Sequence, residues 1–218
     1  MTDKRKVQTA VLGSPDSHEP ILMPFERADA ILLRSNYSTR RFFCGEWLGG
    51  CGRELYTRIG STRMPHFAHH REGSDGPVNC RRSSNDDASA DHLYIRRALM
   101  EWLRRHGHRV KAVTLEGTMP RQGGTCTGMT IETTAGLLIA VALRDALRRN
   151  PKAYWLQRDQ ELDRRRKRVE WLFAPHVTLA RQMIKRTGYA FTVTCRNEGL
   201  HRKVQIGLKE GGLTPVPA

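Results

Sequence analysis

Thiol and imidazole side chains concentrate between residues 44 and 80. Cys44-Gly-Glu-Trp-Leu-Gly-Gly-Cys51-Gly is followed by Met64-Pro-His66-Phe-Ala-His69-His70 and then by Val78-Asn-Cys80. Such donors suit a tetrahedral zinc ion, and glycine beside a ligating cysteine lets the backbone turn tightly around the metal. Residues 40–82 are therefore expected to form a small zinc-binding β module, which leaves the activity to the rest of the chain. Cysteine is also a common small core residue, so three buried free thiols are the competing explanation. The flanking glycines and the histidines favour metal, with Cys44, Cys51 and Cys80 as three ligands. The six residues between Cys44 and Cys51 are wider than the spacing of two to four usual in such motifs. The fourth ligand comes from His66, His69 or His70. On an extended segment His66 and His69 face opposite sides, so one of them binds. His69 is preferred by position. His66 is the alternative ligand, or else a group that supports the ligands from behind.

Charge supplies the next constraint. Lysine and arginine number 37 against 22 acidic residues, a formal excess of +15. That balance points to a polyanionic partner, most often nucleic acid, against the plainer reading of a chain in which arginine is simply common. Five cysteines without an apolar leader argue against a disulfide framework. Met1 to Lys6 lacks the apolar centre of a signal peptide, and no run approaches the roughly 18 apolar residues of a membrane span. The expectation is a cytoplasmic protein with reduced thiols, no membrane partner and no small-molecule substrate.

Residues 1–39 read as a polar tail with short strands. Val7 to Leu12 is one strand, and the patches Ile21-Leu22-Met23 and Ala30-Ile-Leu-Leu33 suggest a hairpin or a strand and turn. A helix opens at Ser89 or Asp91, with Ile95, Ala98, Leu99, Trp102 and Leu103 on one apolar face, and ends at Gly107. Strands are expected at Arg109–Val113 and Met129–Thr133, with a glycine-rich loop over 117–128. Leu137–Leu143 is a continuous apolar run, the pattern of a strand buried on both faces. Asn150-Pro151 starts another helix, which closes in Arg164-Arg-Arg-Lys-Arg168. Val169–Phe173 is a strand, Thr178–Arg186 a helix stopped by Gly188, and Tyr189–Cys195 and Val204–Leu208 are strands. The order implies an α/β domain with a mixed sheet over 89–175 and an extension over 176–218.

These residues resemble the competence protein CoiA-like family. The resemblance rests on the paired cysteines, Pro65-His-Phe-Ala-His69 and Cys80, then Ser89-Ala-Asp-His92-Leu at a helix start. Further along it rests on Gly107-His-Arg-Val110, Leu138-Ile-Ala-Val141, the helix with Trp155 and Arg158, and Val169-Glu-Trp-Leu-Phe173. It spans about residues 7–175. It implies an N-terminal zinc-ribbon-like module followed by a restriction-endonuclease-like mixed sheet flanked by helices, of the PD-(D/E)xK type. It also implies a role in handling DNA. In such proteins carboxylates on two strands hold magnesium, which activates water and stabilises charge on the scissile phosphate. Here the first position falls near Thr127-Gly128 and the second on Ala142, with Arg144 where a glutamine is usual. Alanine cannot ligate a cation, and an arginine in a metal pocket repels one, which argues against magnesium. The nearest remaining carboxylates are Glu116, Glu132 and Asp145. Asp145 lies three residues past Ala142 and on a strand would face the opposite side.

His92 is either a surface or capping residue or, by the resemblance, a phosphate contact beside the cleft. Arg144, Arg148, Arg149, Lys152, Arg158, Arg164, Arg165, Arg166, Lys167 and Arg168 form the candidate phosphate-tracking surface. Part of that cluster is explained by the helix dipole alone. Trp102 and Trp155 sit at apolar positions and read as core. Cys126 and Cys195 read as plain thiols. The reading is a nucleic-acid-binding pseudo-nuclease with a structural zinc. An active magnesium-dependent nuclease with displaced carboxylates and a zinc-module adaptor for protein partners are the alternatives.

Overall fold

A computed structural model of the chain describes residues 7–70, 80, 82, 90–117, 126–145, 151–164, 168–198 and 201–211, with no account of the side chains at 151–155, 163 and 201. They divide into two compact units. The first takes residues up to Arg97 together with Gly117–Cys126 and Cys195–Lys203, and the second takes Ala98–Glu116, Thr127–Thr194 and Val204 onward.

The first unit is built on a five-stranded sheet of β1 (Thr9–Leu12), β2 (Pro20–Leu22), β3 (Phe42–Phe43), β4 (Glu54–Arg58) and β5 (His66–His69), in the order β2-β1-β3-β4-β5. Every neighbouring pair in it is antiparallel. The amide of Phe67 also donates to the carbonyl of Val7 at 2.9 Å, which ties the outer strand back to the chain ahead of β1. Alternation puts Ala10, Leu12, Phe42, Leu55 and Phe67 into one buried cluster, since successive strand residues face opposite sides. β1 and β2 precede residue 40, so the boundary expected there falls inside a single sheet.

α1 (Arg27–Asn36) corrects the expected hairpin. Its four consecutive apolar residues look strand-like, but the residues that reach the core are Ala30, Leu33 and Tyr37, at helical spacing. Ile31 and Leu32 are exposed.

The second sheet runs in the order β11-β10-β9-β8-β7-β6. Its strands are β6 (Val110–Gly117), β7 (Cys126–Thr133), β8 (Leu137–Ala142), β9 (Arg168–Phe173), β10 (Tyr189–Glu198) and β11 (His201–Glu210). β8 is antiparallel to β7 and parallel to β9, and β10 is parallel to β9. The sheet is therefore mixed, and the elements are α/β. β9, β10 and β11 share one sheet, so the expected extension from residue 176 continues the domain. α2 (Asp91–Arg105) precedes β6, α3 (Pro151–Arg164) connects β8 to β9, and α4 (Leu179–Thr187) precedes β10. Leu138, Ala140 and Ala142 of β8 pack with Leu162 of α3, Trp171 and Phe173 of β9, and Ala180 of α4. α3 ends at Arg164, while Arg168 already opens β9, so the basic run is not one helix end. No helix among the described residues is long and apolar enough to cross a membrane.

Candidate metal centre

Cys44 follows β3 and Cys51 precedes β4, and the loop between them folds back on itself. Glu46–Leu48 makes a 3₁₀ turn, and Gly49 at φ 70° takes the left-handed conformation that reverses the chain. The amide of Cys44 donates to the carbonyl of Arg53, and the amide of Gly52 donates to the carbonyl of Cys44, both at 2.8 Å. This double closure brings two cysteines with six residues between them to one point.

His69 ends β5 opposite Leu55, beside the start of β4, whereas His66 pairs with Arg58 at the other end. The His66 ring sits 2.9 Å from the carbonyl of Met64 through Nδ1 and lies outside the cluster. Cys80 completes a group in which the ligand atoms of Cys44, Cys51, His69 and Cys80 all lie within 4.8 Å of one another.

The dimensions suit an ion. Metal–sulfur bonds of about 2.3 Å and metal–nitrogen bonds of about 2.0–2.1 Å in a tetrahedron space the ligand atoms roughly 3.5–3.8 Å apart. Cys44 Sγ and Cys80 Sγ are 3.6 Å apart, and Cys51 Sγ lies 3.3 Å from His69 Nε2. A sulfur separation of 3.6 Å is far beyond a disulfide bond. The hydrogen bond from Cys44 is the main force pushing Cys80 down to about 3, and it also pushes Cys51 down to about 6. Cys44 itself is pushed up by those same bonds and by burial, and His69 is pushed up chiefly by Cys80. The four groups thus share protons that a metal ion would displace. This Cys₃His cluster can hold a metal ion such as zinc.

Sequence reasoning missed one residue here. Arg82 is 4% exposed, and its Nη1 points at Cys44 Sγ from 3.9 Å. Burial pushes its guanidinium down while Cys44 holds it up. The only signal in the sequence is an arginine two residues after a ligand, one among many arginines.

The positions expected to carry nuclease chemistry lie in the second sheet. Gly128 of β7 and Ala142 of β8 are cross-strand partners, and both are buried. Ala142 is fully enclosed within the apolar cluster under α3 and α4. Arg144 is half-buried just past the end of β8, and its amide donates to the carbonyl of Thr127. Each of the remaining carboxylates has a partner of its own. Glu132 takes an ion pair from Lys111 at 2.9 Å, and Glu116 takes one from Arg158 at 2.9 Å. Asp145 accepts from both the amide and the hydroxyl of Thr178, at the start of α4. Among the described residues no acidic group of three or more gathers, since the one cluster of metal-ligand type is the Cys₃His set.

Two expectations are corrected. His92 is 3% exposed, so it is neither a surface cap nor a phosphate contact. Trp102 is 45% exposed and packs its ring on His106 at 4.5 Å, so it is not core. It stands at the rim of the apolar stripe of α2, whose centre is Ile95, Leu99 and Leu103. Of the phosphate-tracking set, Arg164 is exposed, Arg168 pairs with Glu170, and Arg158 pairs with Glu116. Lys152 lies on α3 with its side chain outside the described residues. Arg148, Arg149, Arg165, Arg166 and Lys167 lie outside them altogether. No protein-family model matches the chain, and no curated protein or solved structure matches it either.

Proposed function

We propose that this protein is a zinc-stabilised, nucleic-acid-binding pseudo-nuclease of the CoiA-like kind, which binds DNA without cutting it. The observation that carries the reading is the Gly128–Ala142 pair. The resemblance puts metal-holding carboxylates at these two positions, and they are direct neighbours across β7 and β8. Neither carries a carboxylate, and the second is closed into apolar packing. A divalent ion there would lose its water without gaining ligands, which is prohibitive. The engagement of Glu116, Glu132 and Asp145 elsewhere argues against a displaced magnesium site. The excess of +15 supplies the attraction to a polyanion. Zinc is the ion of choice for the Cys₃His cluster, because three thiolates and an imidazole in a closed tetrahedron are a structural zinc set.

Labelled single- and double-stranded DNA, incubated with magnesium or manganese and scored for both retention and cutting, tests the reading. The expected result is retention that falls steeply with salt, and no cleavage. The resemblance puts Arg144 at a position where a glutamine of the catalytic cleft is usual, so its guanidinium is the candidate phosphate contact. Arg144→Ala is expected to weaken binding more than a control Arg164→Ala and to lower the salt slope by about one. Cleavage that Glu132→Gln or Asp145→Asn abolishes would replace this reading with an active nuclease. No retention at any salt concentration would leave the zinc module as a docking element for protein.

A further inference from the structure

Three thiolates, one neutral imidazole and a divalent ion together carry one net negative charge. An uncompensated charge beside the buried Cys44 thiolate is costly, and a buried guanidinium without an anion is equally so. Arg82 is buried, and its Nη1 is 3.9 Å from Cys44 Sγ. The groups that act on it are the thiols of Cys44 and Cys80 and the Tyr94 phenol, and the two thiols become thiolates when a metal ion binds. No carboxylate among the described residues forms an ion pair with it.

We propose that Arg82 is a positioning residue of the metal centre, whose fixed positive charge cancels the excess negative charge of three thiolates around a divalent ion. The inference rests on the zinc reading and deepens it. Arginine suits the task because it stays charged when buried, where a lysine readily loses its proton. Its N–H donation to the Cys44 sulfur also draws electron density from the thiolate, which makes the centre less reactive toward electrophiles and oxidants. Neutrality selects the ion as well, since a monovalent cuprous ion would leave the same set negative and a trivalent ion would leave it positive.

The test is a charge-swap cycle on the full chain. Wild type, Arg82→Gln, Cys51→His and the double variant are purified, their zinc is counted, and release to a chromogenic chelator is timed during challenge with a thiol-alkylating reagent. Cys51 is chosen because it is the exposed ligand. Arg82→Gln leaves the centre negative and is expected to release zinc roughly 10- to 100-fold faster, the usual scale for losing a partner behind a ligand. Cys51→His alone leaves it positive and is also expected to release zinc faster. In the double variant a Cys₂His₂ set without the arginine is neutral again, so zinc is expected to leave more slowly than from either single variant. Independent, additive losses in the double variant would overturn the proposal. If Arg82→Gln does not fold, the double variant must fold where it does not; a double variant that also stays unfolded overturns the idea. Wild-type protein without zinc is a separate outcome that removes the zinc reading itself.

Discussion

Replacing Gly50 by alanine is the most local way to disturb the metal centre without touching a ligand. A Cβ at this position would lie 2.5 Å from the carbonyl oxygen of Cys44, 2.6 Å from its Sγ and 2.7 Å from its carbonyl carbon. Two of the three contacts are backbone, so no rotamer change relieves them. Rotating the sulfur away relieves the third only by withdrawing a ligand. Moving the Cys44 backbone instead strains the two 2.8 Å hydrogen bonds that close the loop onto Arg53 and Gly52. Overpacking of this kind costs about 1–3 kcal/mol. If that strain is borne by the bound state, zinc affinity falls roughly 5- to 150-fold. Gly60→Ala is the matched control, because a Cβ there meets nothing within 4 Å and neither glycine has a left-handed φ. Competition against a chelator of known zinc affinity, with melting curves in the presence and absence of zinc, reads the difference. Equal zinc affinity in Gly50→Ala and Gly60→Ala would refute the geometry of the Cys44–Cys51 loop.

Two further outcomes follow from the second sheet and from α2. Asp145 accepts from the amide and hydroxyl of Thr178, the residue ahead of α4, so Asp145→Ala is expected to lower stability by about 1 kcal/mol with no change in nucleic-acid cleavage; a melting temperature equal to wild type would show that the contact to Thr178 carries nothing. Burial pushes the Cys195 thiol up to about 12, whereas a free thiol titrates near ~8.5. The unfolded chain therefore loses this proton first, and stabilisation that is complete below about 8.5 disappears as the pH rises toward 12. Cys195→Ala is expected to flatten the alkaline decline in melting temperature over that window, and an unchanged decline counts against the burial of this thiol.

What could be read from the sequence was whatever depends on residue type and short-range period. The run Leu137–Leu143 announces a strand covered on both faces, and β8 lies at the centre of its sheet, because an unbroken apolar strand has no face to offer water. The three cysteines and a histidine identify themselves by chemistry, since few other arrangements of thiol and imidazole with glycine have a use. Tertiary structure alone decided the rest. His66 and His69 differ only in which end of β5 they occupy, and pairing with β4 puts His69 beside Cys51. Period marks the apolar stripe of α2 but not how far its cover extends, so Trp102 at the rim is exposed while His92 is enclosed. Ala30 to Leu33 became helix because the surface that receives them accepts contacts every three to four residues, which no pattern inside the segment reveals. Arg82 is the sharpest case. One arginine among many is buried against thiols, and only a folded chain can show which charge lost its water and what compensates it.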